Sequence, residues 1–181
     1  TEDEILLTFG PSEEGTVKFF LKPQDQSRGL ESYFHWYRKL HPVLCPELFP
    51  GMKELLQNLK SRGFILALVT GKGPVTCRIS LEYYGISDLF NWIETGTPEK
   101  PCKTECIAKI LKQFQLRPEE TIYIGDMPGD IRSARKAGVE TLAVAWATTA
   151  DTETLRKENP KAVFQTVAEL QNCLDGLLTN S

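Results

Sequence analysis

From Pro46 onward, short unbroken apolar runs alternate with stretches whose apolar residues recur every three or four positions. Residues 64–69, 90–94, 122–124, 141–146 and 162–164 form the runs, and they read as strands, with 90–94 weaker and 162–164 an edge strand. Residues 64–69 have the continuous apolar character of a parallel strand covered on both faces, and 122–124 that of a buried strand ending at Gly125. Between the runs, Met52, Leu55, Leu56 and Leu59 mark a helix closed by Gly63. A second helix is predicted from about Val75 to Tyr84, stopped at Gly85. Ile107, Ile110, Leu111 and Phe114 mark a third, Ile131, Ala134 and Ala137 a fourth that Gly138 stops, and Val167, Leu170, Leu174 and Leu177 a closing one. Strands alternating with helices predict an α/β fold, an open and mostly parallel sheet with right-handed crossovers.

Residues 1–44 differ in character. Val17, Phe20 and Leu21 fall at helical spacing before Pro23, after a turn with acidic residues at Glu13 and Glu14. Leu30, Tyr33, Phe34, Tyr37 and Leu40 mark a second amphipathic helix. The two histidines, His35 and His41, both lie in this region, and they read as packing or surface residues. With no third partner in view, Ser/His/Asp or Cys/His catalysis has no support.

Composition narrows the function classes. The 181 residues suffice for one well-buried core, and a net charge of -3 with scattered Lys and Arg gives no nucleic-acid surface. The apolar runs are too short to span a bilayer, and the acidic start, Thr1-Glu2-Asp3-Glu4, is unlike a signal peptide. Five dispersed cysteines fit a reducing cytosol better than a disulfide framework, so a cytoplasmic protein is expected. Cys102 and Cys106 stand at i and i+4 but lack nearby histidines for a zinc site.

Three loops carry the candidate chemistry. If the sheet is parallel, the loops after its strands gather along one edge, where α/β sheets bind ligands. Thr70 ends the first clear strand, and its hydroxyl with the amides of Gly71 and Lys72 could donate to phosphate oxygens. Lys100, stiffened by Pro101, is a point charge suited to a phosphoryl group. Asp126 and Asp130, separated by the turn formers Pro128 and Gly129, could supply a hard cation such as Mg2+ with one or two carboxylates. Asp130 could equally cap the helix that follows it. Gly71-Lys72-Gly73 lacks the spacing of a P-loop, and no G-x-G-x-x-G follows a strand.

Leu48-Phe49-Pro50-Gly51-Met52-x-x-Leu55-Leu56, then Leu66-Ala67-Leu68-Val69-Thr70, then Lys100-Pro101, then Gly125-Asp126-x-x-x-Asp130 resembles the haloacid dehalogenase-like (HAD) superfamily. Within it the chain is most similar to the Mg2+-dependent, phosphoglycolate phosphatase-like branch. The resemblance implies a Rossmann-like parallel sheet with flanking helices plus a partial helical cap, the cap being residues 1–44 and the core 45–181. It implies that Thr70 and Lys100 bind phosphate, with Gly71 beside them, and that Asp126 is a magnesium ligand with Asp130 its supporting carboxylate. The expected activity is hydrolysis of a small phosphorylated metabolite through an aspartyl-phosphate, with Thr70, Lys100 and Asp126 in the catalytic set. The Gly-Asp-x-x-x-Asp form favours phosphatases over the metal-independent dehalogenases of the superfamily. The cap sets the substrate, and exposed aromatics in it would promote association.

The family's first motif, Asp-x-Asp on a central strand between those at 64–69 and 122–124, occurs nowhere in the 181 residues. Its first aspartate is the nucleophile and its second the general acid and base. Two accounts follow: an N-terminally truncated phosphatase, or residues 5–9 filling the slot in an inactive relative, with Thr8 and Gly10 in place of the aspartates. Both predict little or no turnover for this polypeptide, and the rival function is a non-catalytic phosphate- or protein-binding remnant.

Overall fold

The computed structural model describes residues 11–179. The elements in order are α1 (Glu13–Phe20), α2 (Pro23–Leu44), α3 (Met52–Ser61), β1 (Ala67–Val69), α4 (Pro74–Tyr84), β2 (Trp92–Glu94), α5 (Lys103–Phe114), β3 (Ile122–Gly125), α6 (Pro128–Lys136), β4 (Glu140–Val144), α7 (Thr152–Lys157), β5 (Ala162–Phe164) and α8 (Val167–Thr179). The chain divides into two compact units, one of residues up to 48 with 59–103, the other of residues 49–58 with those from 104 onward. Residues 5–9, the alternative central strand, lie outside the described residues.

In the first unit β1 and β2 pair in parallel, Ala67 opposite Trp92 and Val69 opposite Glu94. The ladder extends backwards through Asn91, whose amide donates to the Leu66 carbonyl while its side chain accepts from the Leu66 amide. Pro74 stands in the first turn of α4, where its missing N–H costs nothing, and Gly85 closes the helix at φ 61°. The helix α2 packs mainly on α1 and α4. Its apolar stripe is only partly covered: Tyr33, Trp36 and Leu40 stay exposed, and the residue it buries is His41.

The second unit holds a parallel sheet in the order β3-β4-β5, with β4 central. Leu142 and Ala143 of β4 are fully buried, and Ala143 and Ala145 join Ile131 of α6 and Leu155 of α7 in one apolar cluster. Each large side chain so buried contributes about 1.5–3 kcal/mol. Gly138, at φ 77°, turns the chain from α6 into β4 as expected, and β5 is the edge strand.

One expectation is corrected by these strands. Instead of residues 64–69, only Ala67–Val69 is strand, and Phe64 and Ile65 are exposed; Ile122 and Ile124 of β3 are 37 % and 40 % exposed. The reason is alternation: Ile122 and Ile124 stand two residues apart on the same face of β3, and it is that face that is left exposed.

Candidate functional site

Because β1 and β2 run in parallel, the loops that follow them emerge at the same end. Thr70 continues the pairing through its amide, which donates to the Glu94 carbonyl at 3.0 Å, and its Oγ1 accepts from the Lys72 amide at 3.2 Å. The second loop closes on the first at Gly96: its amide donates to the Lys72 carbonyl at 2.8 Å, and a Cβ there would strike the Gly71 carbonyl. Lys100, exposed, sits in the same second loop, its carbonyl accepting from the Thr97 hydroxyl at 3.2 Å. Thr70, Gly71 and Lys100 are therefore carried by two interlocked loops of one unit. The Lys72 ammonium is drawn to Tyr37, donating to its hydroxyl at 2.5 Å while lying 4.8 Å from its ring centre; that hydroxyl also meets Ser80 Oγ at 2.9 Å.

The acidic loop belongs to the other unit, at the carboxyl end of β3. Asp126 is half-buried and Asp130 is 3 % exposed. Asp130 lies at the third position of α6, and its Oδ2 reaches back to accept from the Met127 amide at 3.1 Å. Asp130 does not precede the helix as its N-cap, as the sequence allowed: the N-cap is Met127, and Asp130 serves that residue's amide from inside the first turn. Its Oδ1 faces the Tyr123 hydroxyl at 3.5 Å, and a Cβ on Gly125 would meet Asp130 Cβ at 2.6 Å, so only glycine fits there. Burial, then the charges of Asp130 and Asp126, push the Tyr123 phenol far up, and it stays a neutral donor. Among the described residues no group of three or more His, Cys, Asp or Glu side chains stands ready for a metal. One or two carboxylates suit a hard cation such as Mg2+; Asp126 would offer one, while the Asp130 oxygens face the Met127 amide and the Tyr123 hydroxyl.

Sequence reasoning missed two further residues. Tyr123 reads only as a strand residue, and Glu13 only as an acidic residue in a first turn. Glu13 crosses to the loop that follows β1, its Oε2 accepting from the Gly73 amide at 2.5 Å and its Oε1 from the Thr76 hydroxyl at 2.7 Å. Tyr33 is exposed along part of its ring, and burial of the rest, then Glu13, Tyr37 and Glu14, push its phenol up to about 12. His41 packs between Tyr37, Tyr83 and Tyr84, each ring centre 5.3 Å away, and has no catalytic surroundings. Cys106 is buried and Cys102 half-buried, its thiol pointing at the Thr95 carbonyl.

Parallel strands followed by polar and acidic loops at their carboxyl ends define an α/β protein of the Rossmann-like kind. The haloacid dehalogenase-like hydrolase family model matches residues 1–144, a stretch that includes Thr70, Lys100, Asp126 and Asp130, and the chain belongs to that family. It is 27 % identical over 158 residues to a phosphoglycolate phosphatase of Synechococcus elongatus, covering 87 % of this chain and 73 % of that one. It is 28 % identical over 176 residues to the pyrophosphatase PpaX of Anoxybacillus flavithermus, covering 96 % and 80 %. Among solved structures, a haloacid dehalogenase-like family hydrolase from Streptococcus pneumoniae superposes with a TM-score of 0.68 at 27 % identity, covering 91 % of this chain and 77 % of that one. No helix of the described residues is long and apolar enough to cross a membrane.

Proposed function

We propose that the chain carries the phosphate- and Mg2+-binding apparatus of a cytoplasmic phosphatase acting on a small phosphomonoester. The observation that carries this reading is the pair of interlocked loops after β1 and β2, which bring the Thr70 hydroxyl, the Gly71 backbone and the Lys100 loop to one end of a parallel sheet. In this reading Thr70 and Gly71 donate to phosphate oxygens and Lys100 neutralises phosphoryl charge. Asp126 holds the cation, and Asp130 shapes the loop around it through the Met127 amide. Bound Mg2+ supplies charge stabilisation to phosphoryl oxygens. The Asp-x-Asp pair that would provide nucleophile and general acid is absent from the 181 residues, and none of Thr70, Lys100 and Asp126 is a suitable replacement nucleophile. The polypeptide by itself therefore binds phosphate and Mg2+ with little or no turnover.

The test is calorimetric titration with Mg2+ and inorganic phosphate, alongside p-nitrophenyl phosphate hydrolysis, with Asp126→Asn as control. The expected result is Mg2+ binding that the substitution abolishes and negligible hydrolysis. A wild-type protein that is folded yet takes up no Mg2+ would overturn the reading. The missing Asp-x-Asp also favours a second one, a non-catalytic phosphate-binding relative. Its mark is phosphate binding that needs no Mg2+ and survives Asp126→Asn.

A further inference from the structure

The helix α4 begins directly behind the loop of Thr70 and Gly71, and it cannot cap itself. Its N-cap is Gly73, which has no side chain, and no side-chain cap bond is made from that position. In an ordinary capping box the N-cap amide is taken by a glutamate three residues further along. Here that position is Thr76, and the amide is taken by Glu13, sixty residues upstream, whose other oxygen receives the Thr76 hydroxyl. Glu14 closes from the same helix: its carboxylate lies against the Gly73 Cα, where a Cβ would strike both of its oxygens.

The same turn of α1 also grips the second loop. The Ser12 amide donates to the Thr97 carbonyl at 2.9 Å, and a Cβ on Gly15 would come within 2.6 Å of the Pro98 carbonyl oxygen. Lys18, one turn on, pairs with Glu99 at 3.7 Å. One short helix start thus braces both loops that carry Thr70, Gly71 and Lys100. Glu13 takes its hydrogen bonds from Gly73 and Thr76 and leaves the Gly71 amide and the Thr70 hydroxyl to a ligand.

We infer that Glu13 is a positioning residue for the phosphate-binding loop, a cap supplied from α1 that sets the backbone of residues 70–73 in its donor arrangement. The inference rests on the reading of Thr70 and Gly71 as phosphate donors. It makes the seating of α1 and the order of the loop a single event, because the same two hydrogen bonds serve both.

The test titrates inorganic phosphate in the presence of Mg2+ into the 181-residue protein and four variants, and follows hydrogen exchange of the Gly73 amide. Removing a hydrogen-bonded charge is worth roughly tenfold, so Glu13→Ala is expected to weaken phosphate binding by about that factor and to expose the Gly73 amide to exchange. Glu13→Gln, which keeps an acceptor oxygen, is expected to recover most of the affinity and protection. A loss caused only by lower stability would not follow the acceptor in this way. Thr76→Val removes one of the two donors without emptying the core and is expected to give a smaller loss, which serves if the alanine variant fails to fold. Thr70→Ala separates the two levels. If it abolishes phosphate binding while Glu13→Ala and Thr76→Val match wild type, this inference falls and the phosphate reading stands. If wild type takes up no phosphate, both fall.

Discussion

Replacing Asp130 by alanine tests how the acidic loop is held. The side chain is 3 % exposed and serves two groups, the Met127 amide at 3.1 Å and the Tyr123 hydroxyl at 3.5 Å. The second contact is at the outer limit of a hydrogen bond, so the larger share of the effect rests on the amide. Leaving the part-buried Met127 donor unmet costs at most about 1–3 kcal/mol, and loss of a helix cap about 1 kcal/mol. The two descriptions overlap at Met127 and should not be summed, which puts Asp130→Ala at about 1–3 kcal/mol. In a chain of this length that lowers the melting midpoint by roughly 2–12 °C. Asp130→Asn keeps an oxygen for the Met127 amide and should cost about 1 kcal/mol, and Tyr123→Phe, which removes the weaker partner, less than that. Urea unfolding followed by far-UV circular dichroism, with a thermal melt for each variant, gives the comparison. Equal losses in the alanine and asparagine variants, or an alanine cost below about 0.5 kcal/mol, would refute the claim that the amide bond organises this loop.

Two other perturbations follow from the geometry. His41 is 8 % exposed, its Nδ1 finds no hydrogen-bond partner among the described residues, and burial, with Lys72 second, holds its pKa below the ordinary 6.5. The groups facing it are Tyr37, Tyr83, Tyr84 and Lys72, with no carboxylate among them. Below 6.5 the unfolded chain takes up a proton that folded His41 refuses, so its contribution is complete above that pH and is lost as pH falls. Urea midpoints between pH 5 and 8 should show this acid loss, and His41→Phe should flatten it; identical acid slopes would argue against it. Gly96→Ala should disturb the loops after β1 and β2, because its Cβ would meet the Gly71 carbonyl carbon at 2.8 Å and its oxygen closer still. Both partners are backbone and cannot swing aside, so the cost is about 1–3 kcal/mol, with weakened phosphate uptake in the titration.

The two helices that follow candidate loops show why part of this molecule is legible in its sequence and part is not. At α6 the N-cap amide of Met127 is taken by Asp130, three residues along, and the turn formers Pro128 and Gly129 between them announce the motif locally. At α4 the same amide position, Gly73, is served by Glu13 from another helix, and no spacing in the chain connects them. Helix stops at Gly63, Gly85 and Gly138 were legible because a positive φ favours glycine over other residues, and all three glycines adopt one. The burial of β1 and β3 was not, because an apolar run reports what a strand is suited to cover and not whether both of its faces are covered. His41, read from the sequence as packing or surface, is the residue that α2 buries, packed among three tyrosine rings, and burial with Lys72 nearby disfavours its charged form. Short-range chemistry is thus read directly from the order of residues. Contacts made across sixty positions, such as that of Glu13, require the fold.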